Sequence, residues 1–416
     1  MKKENKFFYG WIVVLGCILI TSTLVPPIMA LSGRYTTYVT ADLGIMDSQF
    51  TLVNTIVQAL GIFLSPMVSK NLAKGNMKKI QSLAIVGFCL GYAAYSFATN
   101  VFHLYICAFV VGFCWLNSAL IPVSMMVNNW FVKQKGLAMS LAMAGIGVGG
   151  AIFGNVIQTL LGNYGWRMTY RIMAAIILVV ALPTALFILK KKPEDMGLVA
   201  LGADEAPAAG AKQAAAPAKA LTLSVAESKG KLFFWMMIMG IFFNGVINTG
   251  SLINFPAAMN RMQSPAVATT VITMYSLIGI GGKIFLGWVN DKFGVIASSI
   301  YGCVFFALSF LCIMFAGSSA TMLYVMGVVF GLGNAIGTVS PPLVVAEIFG
   351  KEKYAEAYGF ANSFSQVGMT LGGLLVSGIY DMSGSYNVAW AIMFVLTVLT
   401  MVGWVGSVIL CKKHKA

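Results

Sequence analysis

The chain has 416 residues, of which 59 % are hydrophobic and only 10 % are charged, and its formal net charge is +14. Soluble domains carry about 25 % charged residues, so this composition excludes an ordinary soluble enzyme or nucleic-acid-binding domain and predicts a polytopic membrane protein in a lipid bilayer. The seven cysteines form no CxxC pair and there are two histidines. We therefore expect no metal, no cofactor and no enzymatic activity.

Twelve apolar runs follow one another along the chain, each near the roughly 20 residues that a membrane-spanning helix needs. The first run is far longer than the apolar core of a signal peptide and has no clear cleavage site, so we interpret it as a membrane helix. The runs are 9–32, 49–70, 79–98, 102–127, 136–161, 169–190, 232–257, 266–289, 296–317, 320–346, 355–380 and 386–411.

One connection is much longer than the others, residues 191–231 between the sixth and seventh runs. Its middle, GADEAPAAGAKQAAAPAKA (202–220), is rich in Ala, Pro and Gly, which is typical of a flexible linker. The linker predicts an N-terminal six-helix bundle over 1–190 and a C-terminal six-helix bundle over 232–416. The expected fold class is an all-α membrane protein.

The distribution of charge predicts the orientation in the membrane. Lysines flank the starts of the odd-numbered runs and fill the C-terminal tail, whereas the arginines fall at the opposite ends of the runs. Lysine and arginine concentrate in cytoplasmic loops, and the lysines are far more numerous here. We therefore expect both termini and the linker to lie in the cytoplasm, with the chain in the cell membrane.

The two halves of the chain also repeat each other. FVKQKGLAMS (131–140) parallels FGKEKYAEAY (349–358), and GIFLSPMVSK (61–70) parallels KIFLGWVNDK (283–292). The two offsets, 349 − 131 = 218 and 283 − 61 = 222, are nearly equal. Two six-helix halves in parallel repeat are typical of secondary transporters. Gly61 occupies the position of Lys283, so only the second half has a cation there.

Four stretches resemble a known family. GWVNDKFG (287–294) resembles the loop motif G-x-x-x-D-[RK]-x-G of the major facilitator superfamily. YGWIVV (9–14), WFVKQKGLAMSLAMAGIGVGG (130–150) and KKPEDMGL (191–198) resemble its monocarboxylate and oxalate/formate branch. The resemblance implies the major facilitator fold, with twelve transmembrane helices in two six-helix bundles, and transport of small organic anions. It also implies a gating motif whose acid contacts a neighbouring helix end, made by Gly287, Asp291, Lys292 and Gly294.

The same resemblance implies a substrate-binding cation. In that branch a basic residue of helix eight, usually arginine, is thought to bind the carboxylate, and alignment on G-x-x-x-D puts it at Lys283. The second cation of the oxalate/formate exchangers corresponds here to Ser365. The aspartate that precedes the cation by one turn in proton-coupled carriers corresponds to Gly279.

Lys283 also stands out without the resemblance. It lies eight residues before Asp291, about 12 Å into a hydrocarbon core of about 30 Å. A lysine at that depth costs about 2.5–3.5 kcal/mol and normally faces a cavity, and no Asp or Glu lies near that depth in any run. The alternative is a lysine whose side chain extends back to the membrane interface. A depth of about 12 Å is a long distance for a lysine side chain to reach.

Polar residues recur with helical spacing in two further runs. Asn244, Asn248 and Ser251 form one stripe in run seven, and Asn362, Ser365, Gln366 and Met369 form another in run eleven. They are candidates for substrate hydrogen bonds, and the alternative is interhelical bonding. Tyr275 either closes the site or packs. Arg34 either attracts anions at the outer entrance or is an interfacial charge beside Asp42 and Asp47.

Glycine pairs spaced by four residues favour close helix packing. The pairs are Gly145/Gly149, Gly150/Gly154, Gly333/Gly337 and Gly368/Gly372. GIGVGG (145–150) matches a dinucleotide-binding string, but that motif requires a strand before it and a helix after it, and here it lies inside an apolar run.

These features predict a secondary transporter for a small carboxylate, acting as a monomer by alternating access. Without an acid near the depth of Lys283, exchange with a counter-anion is the simplest scheme, and proton symport stays open if Lys283 itself carries the proton. The alternatives are a drug/proton antiporter, which usually needs an acid in the membrane, and a non-transporting membrane sensor with the same fold.

Overall fold

Helices account for most of the residues that the structure describes, because a backbone that crosses lipid must satisfy its own hydrogen bonds. The structure, a computed structural model, describes residues 8–29, 31–203, 224–317 and 319–415. Within these ranges no β-strand is present, and the one β-type pairing is a parallel bridge between Phe131 and Leu201. The all-α class predicted from the sequence is confirmed.

The chain divides into two compact units, and the second includes a short piece of an early helix. The first unit comprises Met1–Leu60 and Val68–Lys212, and the second comprises Gly61–Met67 and Gln213–Ala416. The helices before the linker are α1 Gly10–Leu24, α2 Pro26–Met29, α3 Thr36–Leu43, α4 Asp47–Lys74, α5 Met77–Ala94, α6 Val101–Ser118, α7 Leu120–Trp130 and α8 Lys135–Pro183. Those after it are α9 Val225–Ser228, α10 Leu232–Met262, α11 Pro265–Met314, α12 Ala320–Gly333, α13 Ser340–Ser383 and α14 Asn387–Lys415.

Nine helical stretches within the described ranges are long and apolar enough to cross a membrane. Six of them have 20 to 31 residues, and three are much longer, with 54, 49 and 64 residues. Each long stretch contains one glycine with non-helical backbone angles and positive φ, namely Gly165, Gly294 and Gly350. Glycine reaches this region without the steric cost that other residues meet, so each long stretch is divided at its glycine into two parts, and Ala320–Ser383 also contains a 3₁₀ turn over Asn334–Gly337.

Several apolar runs that the sequence presents as continuous are broken in the structure. Run 9–32 contains α1 and, after Val25, the short α2 at the Pro26-Pro27 pair. Run 102–127 is interrupted at Ala119. Run 320–346 contains a 3₁₀ turn over Asn334–Gly337 between α12 and α13. Hydropathy misses these breaks because the residues that make them are themselves apolar or neutral.

Close helix packing at the glycine pairs is confirmed in both units. A Cβ at Gly149 would lie 1.9 Å from the carbonyl oxygen of Ser22, and one at Gly368 would lie 2.1 Å from that of Phe242. Only glycine permits these approaches between α8 and α1 and between α13 and α10. The prediction does not hold at Gly150, where no described atom lies within 4 Å of a Cβ.

The connection between the predicted bundles begins with ordered structure. Pro193–Met196 forms a 3₁₀ turn that Gly197 ends with positive φ, and Leu201 pairs with Phe131. The predicted flexible stretch, 202–220, lies outside the described residues except for its first two positions. Residues 191–201, which precede that stretch, are anchored by hydrogen bonds to α7 and the loop after it.

Candidate functional site

Lys283 lies in the first arm of α11, which runs from Pro265 to the break at Gly294. Its side chain is buried, with 8 % of its surface exposed. Eighteen residues of helix precede it in this arm and ten follow it, which corresponds to roughly 27 Å and 15 Å of helix. The lysine is thus far from both ends of a membrane-spanning arm.

The face beside Lys283 packs against α12. A Cβ at the adjacent Gly282 would lie 2.6 Å from the carbonyl oxygen of Gly331, so the two backbones approach closely. Two turns earlier, the rings of Tyr275 and Phe330 pack edge to face with 5.0 Å between their centroids. This contact helps fix the arm that carries the lysine.

The polar stripe of α10 faces the broken helix between α12 and α13. Asn244 donates from Nδ2 to the carbonyl oxygen of Gly337 at 3.4 Å, and Asn248 donates from Nδ2 to Oδ1 of Asn334 at 3.1 Å. Ser251 donates to Ile247 of its own helix at 2.5 Å. The two amides therefore fasten α10 to the 3₁₀ turn, which is the interhelical role that the sequence left open.

One atom of this stripe has no hydrogen-bond donor among the described residues. Asn244 is 1 % exposed, yet its Oδ1 accepts no described hydrogen bond. Thr338 Oγ1 and Ser340 Oγ, just after the 3₁₀ turn, are likewise buried without a described partner. Buried polar atoms are nearly always hydrogen-bonded in native proteins. These three oxygen atoms could therefore accept hydrogen bonds from a donor that reaches them.

The polar stripe of α13 makes a separate group. Asn362 donates from Nδ2 to Oγ of Ser65 at 2.8 Å, within the second unit. Gln366 is 3 % exposed, lies against Gly61, and its Oε1 has no donor among the described residues. Ser365 is half-buried, and its carbonyl oxygen lies at a close approach of α10 and α13, 2.4 Å from a Cβ placed on Gly245.

The second unit thus holds most of the predicted site residues in three groups. Lys283 and Tyr275 lie on α11 beside α12, Asn244 and Asn248 lie at the broken helix, and Gln366 lies with Asn362 on α13. Asn334, Thr338 and Ser340 belong to the second group, and the sequence reasoning missed them because run 320–346 looked continuous. Gly337 and the Pro341-Pro342 pair were the available signal for a break.

Arg34 belongs to the first unit. It is exposed, and its Nη1 donates to Oε1 of Gln158 at 3.3 Å. Asp42, which the sequence put beside Arg34, instead forms an ion pair with Arg167. Arg34 is therefore an exposed cation whose side chain is hydrogen-bonded to α8 through Gln158.

The loop motif coincides with the break in α11. Gly294 has φ +85° and ends the first arm, which explains why the motif ends on glycine. Gly287 is buried and Asp291 is half-buried. Lys292 is exposed, with its Nζ 4.9 Å from the centroid of the Trp288 ring. The motif residues therefore surround a turn between two helical arms.

A cavity of about 270 Å³ lies elsewhere in the second unit, between the second arm of α11 and α14. Its walls are almost wholly apolar, and Thr397 satisfies its hydroxyl within its own helix by donating to Met393. The cavity contains neither Lys283 nor the polar stripes, so its chemistry does not suit an organic anion.

Comparison with known proteins relates this arrangement to a family. The family model described as Major Facilitator Superfamily matches residues 7–261 and 237–412. The chain is 26 % identical over 408 residues to monocarboxylate transporter 12 of Mus musculus, covering 92 % of this chain and 82 % of the relative. It is 28 % identical over 284 residues to the sialic acid transporter NanX of Escherichia coli, covering 66 % of this chain and 64 % of the relative.

A solved structure with the same fold is the human organic anion transporter MFSD10 (TETRAN). The two superpose with a TM-score of 0.68 over 97 % of this chain and 100 % of that chain, at 13 % identity. At this identity the likeness concerns the fold alone.

Proposed function

The chain belongs to the major facilitator superfamily, and from that premise we propose that it is a secondary active transporter of a small organic anion, most simply a monocarboxylate. Family membership makes it a multi-pass membrane transporter and not an enzyme. The substrate and the mechanism are the proposal.

The observation that carries the proposal is the buried Lys283 in the middle of a membrane-spanning arm. A lysine at the centre of a membrane helix costs about 2.5–3.5 kcal/mol on insertion scales, so a chain retains one there for a function. An anion that binds beside the ammonium gains a charge-assisted hydrogen bond, and one cation matches one carboxylate. Within the described spans, no carboxylate lies near the depth of Lys283 to suit a cationic drug.

The architecture that fits this function has twelve crossings. Three of the nine apolar stretches are long enough for two crossings each, and each is broken at a glycine, which gives 9 + 3 = 12. The crossings would form bundles over 1–190 and 232–416, joined by the connection 191–231. With the lysines at the inner face, both termini lie in the cytoplasm, and the chain works as a monomer in the cell membrane.

The relatives support the class of substrate. Monocarboxylate transporter 12 and the sialic acid transporter NanX are both named for acids. Asn244, Asn248, Asn362, Ser365 and Gln366 would supply neutral hydrogen bonds to a carboxylate or hydroxyl group of the substrate. Arg34 would draw anions to the outer end, and Asp291 in the loop motif would hold the inner gate closed.

The test is a thermal-shift screen of small carboxylates on the purified protein and two variants. Lys283→Gln removes the buried charge, and Lys413→Gln removes an exposed charge near the end of α14. We expect stabilising carboxylates to raise the Tm of the wild type and of Lys413→Gln, and to leave that of Lys283→Gln unchanged. Equal stabilisation of Lys283→Gln would show that the anion binds elsewhere.

Uptake separates transport from sensing. Proteoliposomes with wild-type protein should take up the stabilising carboxylate, and Lys283→Gln should reduce uptake at a fixed low concentration by about tenfold or more, because a hydrogen bond to a charged group contributes about 1.5–3 kcal/mol. Binding without uptake by the wild type would support a sensor instead.

A further inference from the structure

The three stretches that resemble the monocarboxylate branch are far apart in sequence, yet they meet in the first unit. They are residues 9–14, 130–150 and 191–198, and none of them carries the proposed anion site. The element that joins them is residues 188–202, which we name the strap. The contacts of the strap indicate a structural role that is separate from substrate binding.

The strap is fastened first to the end of α7. Trp130 donates from Nε1 to the carbonyl oxygen of Lys190 at 2.9 Å, and Asn129 donates from Nδ2 to that of Lys191 at 3.0 Å. Trp130 is completely buried. Two side chains at the end of α7 therefore donate hydrogen bonds to backbone carbonyl groups of the strap. This is a specific interaction and not a general surface contact.

The strap is fastened next to the end of α4. Lys191 donates from Nζ to the carbonyl oxygen of Gly75 at 3.2 Å and to that of Ala73. The last carbonyl groups of a helix lack intrahelical partners and carry the negative end of its dipole, so an ammonium group is well suited to them. Burial lowers the pKa of Lys191, opposed by the charge of Asp195, which agrees with a docked side chain.

The residues at the start of α1 contact both the strap and the end of α7. Tyr9 donates its hydroxyl hydrogen to the carbonyl oxygen of Ile188 at 3.0 Å, and its ring centroid lies 5.7 Å from that of Trp130. A Cβ at Gly10 would lie 3.1 Å from the ring of Phe131. The aromatic and glycine residues of YGWIVV therefore face the tryptophan and phenylalanine of the second stretch.

The far end of the strap holds the loop that begins α8. The backbone N–H of Leu201 donates to the carbonyl oxygen of Trp130 at 3.0 Å. The carbonyl oxygen of Leu201 accepts from the N–H groups of Val132 at 3.0 Å and Lys133 at 2.9 Å. Gln134 follows with φ +59°, the one non-glycine residue with positive φ among the described residues. A backbone in this region is unfavourable and persists only where its surroundings impose it.

We propose that the strap is a positioning element of transport: it holds residues 131–134 in the conformation from which α8 starts at Lys135. α8 is the helix whose Gly149 packs directly on α1, so the position of its first turn bears on how the helix moves during the cycle. The strap acts through the loop, not through the substrate, and the proposal depends on the transporter family and not on Lys283.

The deciding experiment compares two proline variants of the full-length protein by hydrogen–deuterium exchange. Leu201→Pro removes the N–H that donates to Trp130, whereas Val199→Pro changes an exposed residue of the strap whose N–H makes no hydrogen bond among the described contacts. We expect exchange of the amides of residues 132 and 133 to rise at least tenfold in Leu201→Pro and to stay within twofold of wild type in Val199→Pro. Equal exchange in the two variants would overturn the proposal.

A second set of variants avoids any folding defect of Leu201→Pro. Lys191→Gln should raise exchange at the end of α4 at least threefold, Lys191→Arg should restore the wild-type rate, and Lys192→Gln, at an exposed site, should have no effect. Failure of arginine to rescue, or an equal effect of Lys192→Gln, would contradict the cation's docking on α4.

Transport kinetics distinguish positioning from a merely structural role. With L-lactate as the first probe and sialic acid as the second, Leu201→Pro should lower Vmax at least threefold with KM within twofold, and Val199→Pro should change neither. A raised KM with unchanged Vmax would mean that the strap acts on the substrate site, which contradicts the proposal. Because these variants keep Lys283, loss of anion binding by Lys283→Gln is a separate outcome.

Discussion

Lys283 and the buried amide oxygens of Asn244 and Gln366 favour different chemical groups on a ligand. The ammonium of Lys283 attracts an anion, whereas Asn244 Oδ1 and Gln366 Oε1 can only accept hydrogen bonds and have no donor among the described residues. A carboxylate has no hydrogen to offer them. If the proposed site brings both kinds of group to one ligand, an acid with a hydroxyl group next to its carboxylate would satisfy them, since the hydroxyl donates while the carboxylate pairs with the lysine.

This difference predicts a measurable preference between two acids of the same size. L-lactate should stabilise the wild-type protein at about threefold to tenfold lower concentration than propionate, because one hydrogen bond contributes about 0.5–1.5 kcal/mol. Asn244→Leu should remove the preference, measured by thermal shift, because it removes the acceptor. Ser251→Ala lies on the same stripe but its hydroxyl is used within its own helix, so it should retain the preference. An unchanged preference in Asn244→Leu would exclude Asn244 from the site.

At the scale of single residues, the sequence indicates candidate polar residues but not the groups to which they hydrogen-bond. A lysine in an apolar run is visible from the sequence alone, and the structure buries its side chain. The partners of Asn244 and Asn248 could not be predicted, because they are the carbonyl of Gly337 and the amide of Asn334 in a helix break. Backbone groups become available only where a helix is interrupted, and hydropathy does not report interruptions.

Glycines decide how the helical elements approach and where they end. Gly149 and Gly150 are neighbours in α8 with opposite surroundings, since a Cβ at Gly149 would collide with the backbone of Ser22 and one at Gly150 would meet no described atom within 4 Å. The spacing of the glycines predicted tight packing for both pairs that contain them. Which pair faces another helix depends on the rotation of α8, and that is a tertiary property.

The pair provides a matched test of packing. Gly149→Ala should lower the Tm, because overpacking of a close contact costs about 1–3 kcal/mol. Gly150→Ala should leave the Tm unchanged or raise it, because alanine is favoured over glycine in a helix by up to about 1 kcal/mol. Thermal unfolding in detergent checks both. Equal destabilisation by the two variants would contradict the packing of α8 on α1.

Gly294 provides the corresponding test of a helix end. Its φ of +85° with ψ of 173° is a backbone region that essentially only glycine adopts, so Gly294→Ala should cost about 1–3 kcal/mol. Gly378→Ala, where the backbone is helical and no described atom lies within 4 Å of a Cβ, is the control. A lower Tm for Gly294→Ala alone is the expected result, and identical melting of the two variants would argue that the arms of α11 do not need this turn.

At the scale of the whole molecule, most of the architecture was predictable. The apolar length, the repeated motifs and the loop signature all indicate the same fold, because a membrane permits few alternatives. The ordered strap was not predictable. Its attachment depends on hydrogen bonds of Trp130, Asn129 and Leu201. These bonds join residues far apart in the chain, and amino-acid composition does not predict such pairs. A stretch next to an Ala- and Pro-rich segment therefore looked like linker, although it is fastened to three helices.

The mode of coupling is a property of the whole cycle, and charge balance predicts it. If Lys283 stays protonated while one carboxylate enters and another leaves, exchange moves no net charge. A membrane potential should then have no effect on counterflow. A uniporter that carried the bare anion would respond strongly, since one charge moved across 100 mV corresponds to about 2.3 kcal/mol, or roughly a 50-fold change in accumulation.

A pH gradient tests the remaining scheme, because symport of one proton with each anion is also electroneutral. Symport would change accumulation about tenfold for each unit of imposed pH difference, which is about 1.4 kcal/mol, whereas exchange would not respond. We expect counterflow of a stabilising carboxylate in proteoliposomes to be insensitive to both gradients and to depend on anion on the far side of the membrane. Uptake into empty vesicles that rises with the pH gradient would instead mean that Lys283, or another group, carries a proton with the substrate.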